Sequence, residues 1–173
     1  VMARRQRQMC IRDRFKSGEI KMTRSDWQKK LIEKGYFARS IPVAYGGYGG
    51  ESDIVKSRII AEEFAKAKIP PPMGGQGIDM LVPTLLELGT EEQKQKYIKP
   101  TLHGEIIWCQ GYSEPNAGSD LANLQTKGEL IDGNWVINGQ KIWTSTAQFS
   151  QMMFCLVLSL IHISEPTRHW SIS

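Results

Sequence analysis

A chain of 173 residues, 40% hydrophobic and 23% charged, has the composition of an ordinary globular protein with one domain or two small ones. Its net charge of +4 is carried entirely by Arg4, Arg5, Arg7, Arg12 and Arg14 against Asp13, with no aromatic residue interleaved before Phe15. That excludes a nucleic-acid surface, and the absence of an apolar run near the roughly 18 residues of a membrane helix excludes a spanning segment.

From Thr23 the pattern becomes orderly. Ser25 followed by Gln28 predicts a capping box and a helix through Trp27, Leu31 and Ile32 that ends at Gly35. A glycine-rich loop runs from Ile41 to Gly50. Ser52 or Asp53 is placed to cap a second helix with Ile54, Val55, Ile59, Ile60 and Phe64 on its apolar side, ended by Pro70-Pro71-Pro72. Ile78 to Leu88 predicts a buried helix kinked at Pro83 and closed by Gly89. Thr90 with Gln93 predicts another capping box, for a short helix that stops before Pro100.

The period changes near Gly104. Ile106 to Tyr112 reads as a strand, with the β-region beginning at Trp108. Gln125 to Ile131 and Trp135 to Asn138, joined through Asp132-Gly133-Asn134, carry a hairpin signal. Gln140 to Ser145 extends the β-region, and Met152 to Leu158 supplies a further strand. The expected fold class is α+β: a helical N-terminal domain over 15–104, then a partial antiparallel β-domain over 105–158.

Residues 1–14 and 159–173 read as foreign or disordered segments. Met9 to Arg14 and Leu158 to Arg168 resemble translated sequencing-adapter read-through, with genuine disordered termini as the alternative. Few contacts with the body are expected of either segment, and their deletion should leave the thermal midpoint unchanged. No secretory signal is read in Val1 to Phe15. Cys10, Cys109 and Cys155 form no C-x-x-C pair, and His103, His162 and His169 have no ligand spacing, so no disulfide framework and no metal site are expected. A reducing, cytoplasmic setting is the expectation.

Two glycine clusters, Gly46-Gly47-Tyr48-Gly49-Gly50 and Gly74-Gly75-Gln76-Gly77, invite a phosphate-loop reading. Neither has the lysine and hydroxyl of a Walker loop or a G-x-G-x-x-G register, so turns that need positive φ fit them better. The segment Trp108 to Asp120 is more informative. It is a strand that breaks into a loop of small residues and hydroxyls, where backbone N–H groups and serine oxygens can approach a ligand closely. A structural turn fits the residues of that loop equally well. Asn138 to Ser145 later places an indole and two hydroxyls together, although Trp143 alone reads as a core tryptophan.

Taken together these segments carry a family resemblance. Tyr112-Ser113-Glu114-Pro115-Asn116-Ala117-Gly118-Ser119-Asp120 resembles the acyl-CoA dehydrogenase signature, a hydroxyl followed by E-P-x-A-G-S-D. Asn138-Gly139-Gln140-Lys141-Ile142-Trp143 is similar to that family's N-G-x-K-x-W, at the expected distance. Pro42 to Gly47 and Gly89 to Lys94 look like its P-x-x-x-G-G and G-T-E-E-Q-K, and the likeness runs from about Trp27 to Val157. The Trp108-Cys109-Gln110-Gly111 lead-in is similar to a branch linked to large or steroid-like acyl chains and to multi-subunit enzymes.

The resemblance implies an FAD enzyme that oxidises an acyl-CoA thioester to a trans-2-enoyl-CoA, passes electrons to an electron-transferring flavoprotein, and forms homo- or hetero-oligomers. It implies that Gln110, Tyr112, Ser113, Gly118 and Ser119 line the flavin and its pyrophosphate, with Ser119 also near the acyl-CoA. Trp143, Thr144 and Ser145 would cover and hydrogen-bond the isoalloxazine. Relatives commonly carry an aromatic residue where Gln110 stands, and Thr where Ser145 stands. The family's catalytic base belongs to a C-terminal helical domain beyond the matched motifs, so no catalytic residue is assigned here. Glu114 reads as structural, since an acid in a motif is no evidence of reach to a substrate proton. The alternative function is a non-catalytic fragment or assembly subunit with no turnover of its own.

Overall fold

The computed structural model describes residues 22–159. The expectations for residues 1–14 and for the tail beyond Ser159 lie outside the described residues. The described residues form two compact units, one from 22–74 with 82–105, the other from 75–81 with 106–159.

The first unit is helical. Helix α1, Arg24–Glu33, is capped by Thr23 rather than Ser25: the Thr23 hydroxyl oxygen accepts the Asp26 N–H at 3.0 Å. Ser25 and Gln28 do not form the expected box because distant partners take both side chains. Ser25 Oγ donates to the His103 carbonyl at 2.8 Å. Gln28 is wholly buried; its Oε1 accepts the Met73 N–H at 2.8 Å and its Nε2 donates to the Met73 carbonyl at 3.3 Å. Gln28→Ala removes both partners of Met73 and leaves a cavity, so a loss of about 2–3 kcal/mol is expected in urea denaturation. An unchanged midpoint would show that the tie to Met73 contributes nothing.

Helix α2, Ile54–Lys66, is capped by Asp53, whose carboxylate accepts the Lys56 N–H at 2.9 Å. Its apolar side has no buried residue among the described ones, and Ile54 is 84% exposed. Phe64 meets the Tyr36 ring edge-on at 5.5 Å. The disturbance expected at Pro83 takes the form of a π-turn, Gly77–Leu81, leading straight into helix α3, Val82–Leu88. A proline lacks the N–H for the bond four residues back and crowds that carbonyl, and a wider turn relieves both problems.

Helix α4, Glu91–Leu102, opens with the expected Thr90–Gln93 capping box. It does not stop before Pro100 but runs through it. Thr101 and Leu102 are buried and the Thr101 hydroxyl donates to the Tyr97 carbonyl at 2.7 Å, which offsets a proline cost of roughly 3 kcal/mol. Helices α3 and α4 pack on each other, burying Val82, Leu85, Ile98 and Leu102. Gly46 and Gly49 take the positive φ expected of the loop, at 82° and 75°.

The second unit holds the strands. Strand β1, Trp108–Gly111, pairs in parallel with β4, Met152–Cys155, in the register Trp108↔Met152 to Gly111↔Cys155. Strands β2, Lys127–Ile131, and β3, Asn134–Asn138, form an antiparallel hairpin. Asp132 at φ 49° and Gly133 at φ 78° make the left-handed pair that a two-residue loop requires. Strand β5, Leu158–Ser159, joins β2 in parallel.

The antiparallel expectation therefore holds only for the hairpin. Long connections separate the other paired strands and let the chain return in the same direction. Gln140 to Ser145 is not a strand either: among the described residues it has no ladder partner, and Trp143 sits at φ 56°. Among the described residues no helix is long and apolar enough to cross a membrane.

Candidate flavin-contacting site

Every residue that the sequence singles out for cofactor contact lies in the second unit. Strand β1 delivers the chain to the loop that begins at Tyr112. Gln110 is half-buried opposite Phe154 in the ladder, and the Tyr112 ring packs edge-on against Phe154 at 5.6 Å. The loop closes on itself, since the Glu114 N–H donates to the Ala117 carbonyl at 2.7 Å and the Ala117 N–H returns to Glu114 at 3.1 Å. That small bridge buries Ala117 and the Glu114 side chain while Gly118 and Ser119 stay exposed.

The two motifs meet. The Ile142 N–H donates to the Ser113 carbonyl at 2.9 Å. One residue earlier, Lys141 Nζ reaches Glu114 Oε1 at 2.7 Å and the Tyr112 carbonyl at 3.2 Å. Glu114 also accepts the Gln125 N–H at 2.7 Å and the Thr126 N–H at 3.0 Å, so one carboxylate ties the loop to the start of the hairpin and to the second motif. Glu114 thus has the hydrogen bonds of a structural acid. Burial alone would raise its pKa, but the Lys141 ammonium and the amides of Gln125 and Thr126 outweigh burial and hold it down at about 2.

The second motif leaves this anchorage by a sharp turn. Trp143 is 84% exposed, so the reading of it as a core tryptophan is corrected. Left-handed backbone in a bulky residue is uncommon and costs on the order of 1 kcal/mol or more, a form of strain that clusters where a side chain must be presented. The Ser145 N–H donates to the Trp143 carbonyl at 2.9 Å, fixing the turn.

What remains free is the donor set. Among the described residues the hydroxyls of Ser113, Ser119, Thr144 and Ser145, and the N–H groups of Gly118 and Ser119, make no hydrogen bond. A Cβ at Gly118 would meet nothing within 4 Å, so no contact inside the described chain demands glycine there. Free donors, a bare backbone and a presented indole fit a planar, polar-edged anionic cofactor such as FAD. Lys141, to which sequence reasoning gave no role, is the side chain that ties the two motifs together. Its signal was a lone charge between Gln140 and the apolar Ile142-Trp143, inside a motif quoted for its tryptophan.

The acyl-CoA dehydrogenase N-terminal domain matches residues 4–105, and the acyl-CoA dehydrogenase middle domain matches residues 109–173. Acyl-CoA dehydrogenase IpdE1 of Mycolicibacterium smegmatis is 42% identical over 141 residues, covering 76% of this chain and 36% of that protein. Among solved structures, the ChsE4-ChsE5 complex from Mycobacterium tuberculosis is similar at a TM-score of 0.62 and 30% identity, covering 82% of this chain and 36% of its own. An acyl-CoA dehydrogenase complexed with FAD from Bacillus anthracis is similar at a TM-score of 0.57 and 30% identity, over 79% of this chain and 24% of its own. The chain spans between 18% and 36% of the length of these curated relatives. With its helical unit followed by its strand-bearing unit, the chain belongs to the acyl-CoA dehydrogenase family of oxidoreductases.

Proposed function

We propose that the complete protein is an FAD-dependent acyl-CoA dehydrogenase, oxidising an acyl-CoA thioester to a trans-2-enoyl-CoA. The observation that carries this reading is the Ile142-to-Ser113 backbone bond, which brings the Tyr112–Ser119 loop and the Trp143–Ser145 turn together with their hydroxyls unspent. Bound there, the flavin would supply the two-electron acceptor for the dehydrogenation. Gln110, Tyr112, Ser113, Gly118 and Ser119 would hold its ring edge and pyrophosphate, and Trp143, Thr144 and Ser145 would cover the ring. Ser119 would also touch the acyl-CoA.

No residue of this chain is proposed as the base. Glu114 is held by Lys141 and two amides, and at a pKa of about 2 it is too weak a base for proton abstraction. The base would come from the part of the protein that this chain does not contain. Transfer of electrons to an electron-transferring flavoprotein and assembly into oligomers belong to the same proposal. The ChsE4-ChsE5 likeness supports assembly with a second subunit.

In the complete protein, Trp143→Ala should weaken FAD retention on a desalting column, read from the visible flavin band. Ser119→Ala should weaken both FAD and acyl-CoA binding. A complete protein that carried no flavin and gained none on adding FAD would replace this reading with an assembly subunit without turnover.

A further inference from the structure

We infer that the Glu114–Lys141 pair is the clasp that positions both flavin-contacting segments, which makes Lys141 a positioning residue for the cofactor. The inference rests on the flavin reading above and deepens it.

Both side chains are buried, Lys141 at 8% exposure and Glu114 at 6%. A buried ion pair is weak evidence for stability, because desolvating two charges costs about as much as their attraction returns. Its position in the chain is the stronger clue. Glu114 stands one residue after Ser113, at the mouth of the loop that ends in Gly118 and Ser119. Lys141 stands two residues before Trp143. A single contact of 2.7 Å therefore joins the roots of the two segments.

The neighbouring bonds set the direction of each root. Lys141 Nζ and the Ile142 N–H take the carbonyls of Tyr112 and Ser113, at 3.2 and 2.9 Å. With those carbonyls turned toward the second motif, the first motif spends none of its Ser113, Gly118 or Ser119 donors on it. On the other side, holding Lys141 and Ile142 against the loop fixes where the backbone turns out at Trp143. Neither Lys141 nor Glu114 needs to touch the flavin for this. The clasp works by geometry, and a ligand-contacting shell left without its support loosens.

The test uses the full-length protein. FAD dissociation constants are measured by fluorescence titration of apoprotein for the wild type, Lys141→Met, Trp143→Ala and the double variant, with the thermal midpoint of each apoprotein alongside. Lys141→Met should raise the dissociation constant roughly tenfold or more, the size seen when a group that orients direct ligand contacts is lost. Trp143→Ala should then weaken binding far less in the Lys141→Met background than in the wild type, because a misplaced indole has little left to lose.

Additive effects of the two substitutions would overturn the clasp, since a merely structural lysine would leave the Trp143 contribution intact. An unchanged dissociation constant in Lys141→Met would overturn it as well. If Lys141→Met yields no folded apoprotein, Lys141→Gln is carried through the same cycle. Failure of both to fold would assign the pair to folding alone. A wild-type protein that binds no FAD would remove the flavin reading itself, a result distinct from all of these.

Discussion

Glu114→Ala is expected to destabilise the protein by about 3–5 kcal/mol in chemical denaturation, one of the two largest single-residue losses anticipated here. The substitution strands the Lys141 ammonium in a site where its side chain is 8% exposed, and it orphans the Gln125 and Thr126 amides. Glu114→Gln keeps the volume and one acceptor, so its loss should be smaller. Equal losses in the two variants would show that packing, rather than the charge, holds this corner.

The same residue gives a pH signature. Its folded pKa of about 2 lies below its ordinary value of 4.5, so the folded state favours the carboxylate. The resulting stabilisation, about 3 kcal/mol by linkage, is fully present above about pH 5 and disappears as pH falls from 4.5 toward 2. Subtracting the Glu114→Ala profile from the wild-type profile should leave a difference that is level above about pH 5 and changes with pH only within that window. A difference that grew at alkaline pH instead would contradict the assignment.

How much of this was legible in the sequence depends on the range of the interactions involved. Local signals read well. The Thr90–Gln93 box and the Asp132-Gly133 loop are encoded within four residues, and the structure forms both. The Ser25–Gln28 box failed because the same residue types also serve long-range partners: Met73 and His103 lie far along the chain, and no local pattern announces them. Pro100 misled for a related reason, since burial of Leu102 is a tertiary gain that outweighs a local penalty. Strand direction was not encoded in alternation at all. A period of two is the same for parallel and antiparallel neighbours, and only the connection length separates them.

At the site, motif spacing brought the two segments to attention, and the Ile142–Ser113 bond joins them. Trp143 shows the limit of residue type alone. A tryptophan is most often buried, yet here the backbone turns left-handed and presents it outward. The exposed apolar side of α2 has the same lesson in reverse. Its Ile54, Val55 and Ile59 follow a helical period that predicts burial, but the described residues provide nothing to bury them against.

Gly139→Ala is expected to be as damaging as Glu114→Ala, for a steric reason that no propensity scale contains. A Cβ on residue 139 would lie 2.6 Å from the Thr126 Cβ and 2.7 Å from its Cα, and would overlap the Thr126 hydroxyl oxygen. A flexible side-chain tip could swing aside, but a Cα cannot. Thr126 is pinned on both sides, its N–H to Glu114 at 3.0 Å and its carbonyl to the Leu158 N–H at 2.8 Å. Relief therefore has to come from moving the strand end, two residues before Lys141. The expected loss is about 3 kcal/mol or more, the upper range for overpacking in a site that cannot give. Gly133→Ala is the matched control. Its Cβ would meet nothing within 4 Å, so only the left-handed backbone at φ 78° is penalised, at about 1 kcal/mol. Because the shift at residue 139 also draws Lys141 from Glu114, Gly139→Ala should release flavin from the complete protein while Gly133→Ala retains it. Equal midpoints for the two variants in urea would show that Thr126 yields, and that this approach of backbone to backbone is looser than its distances imply.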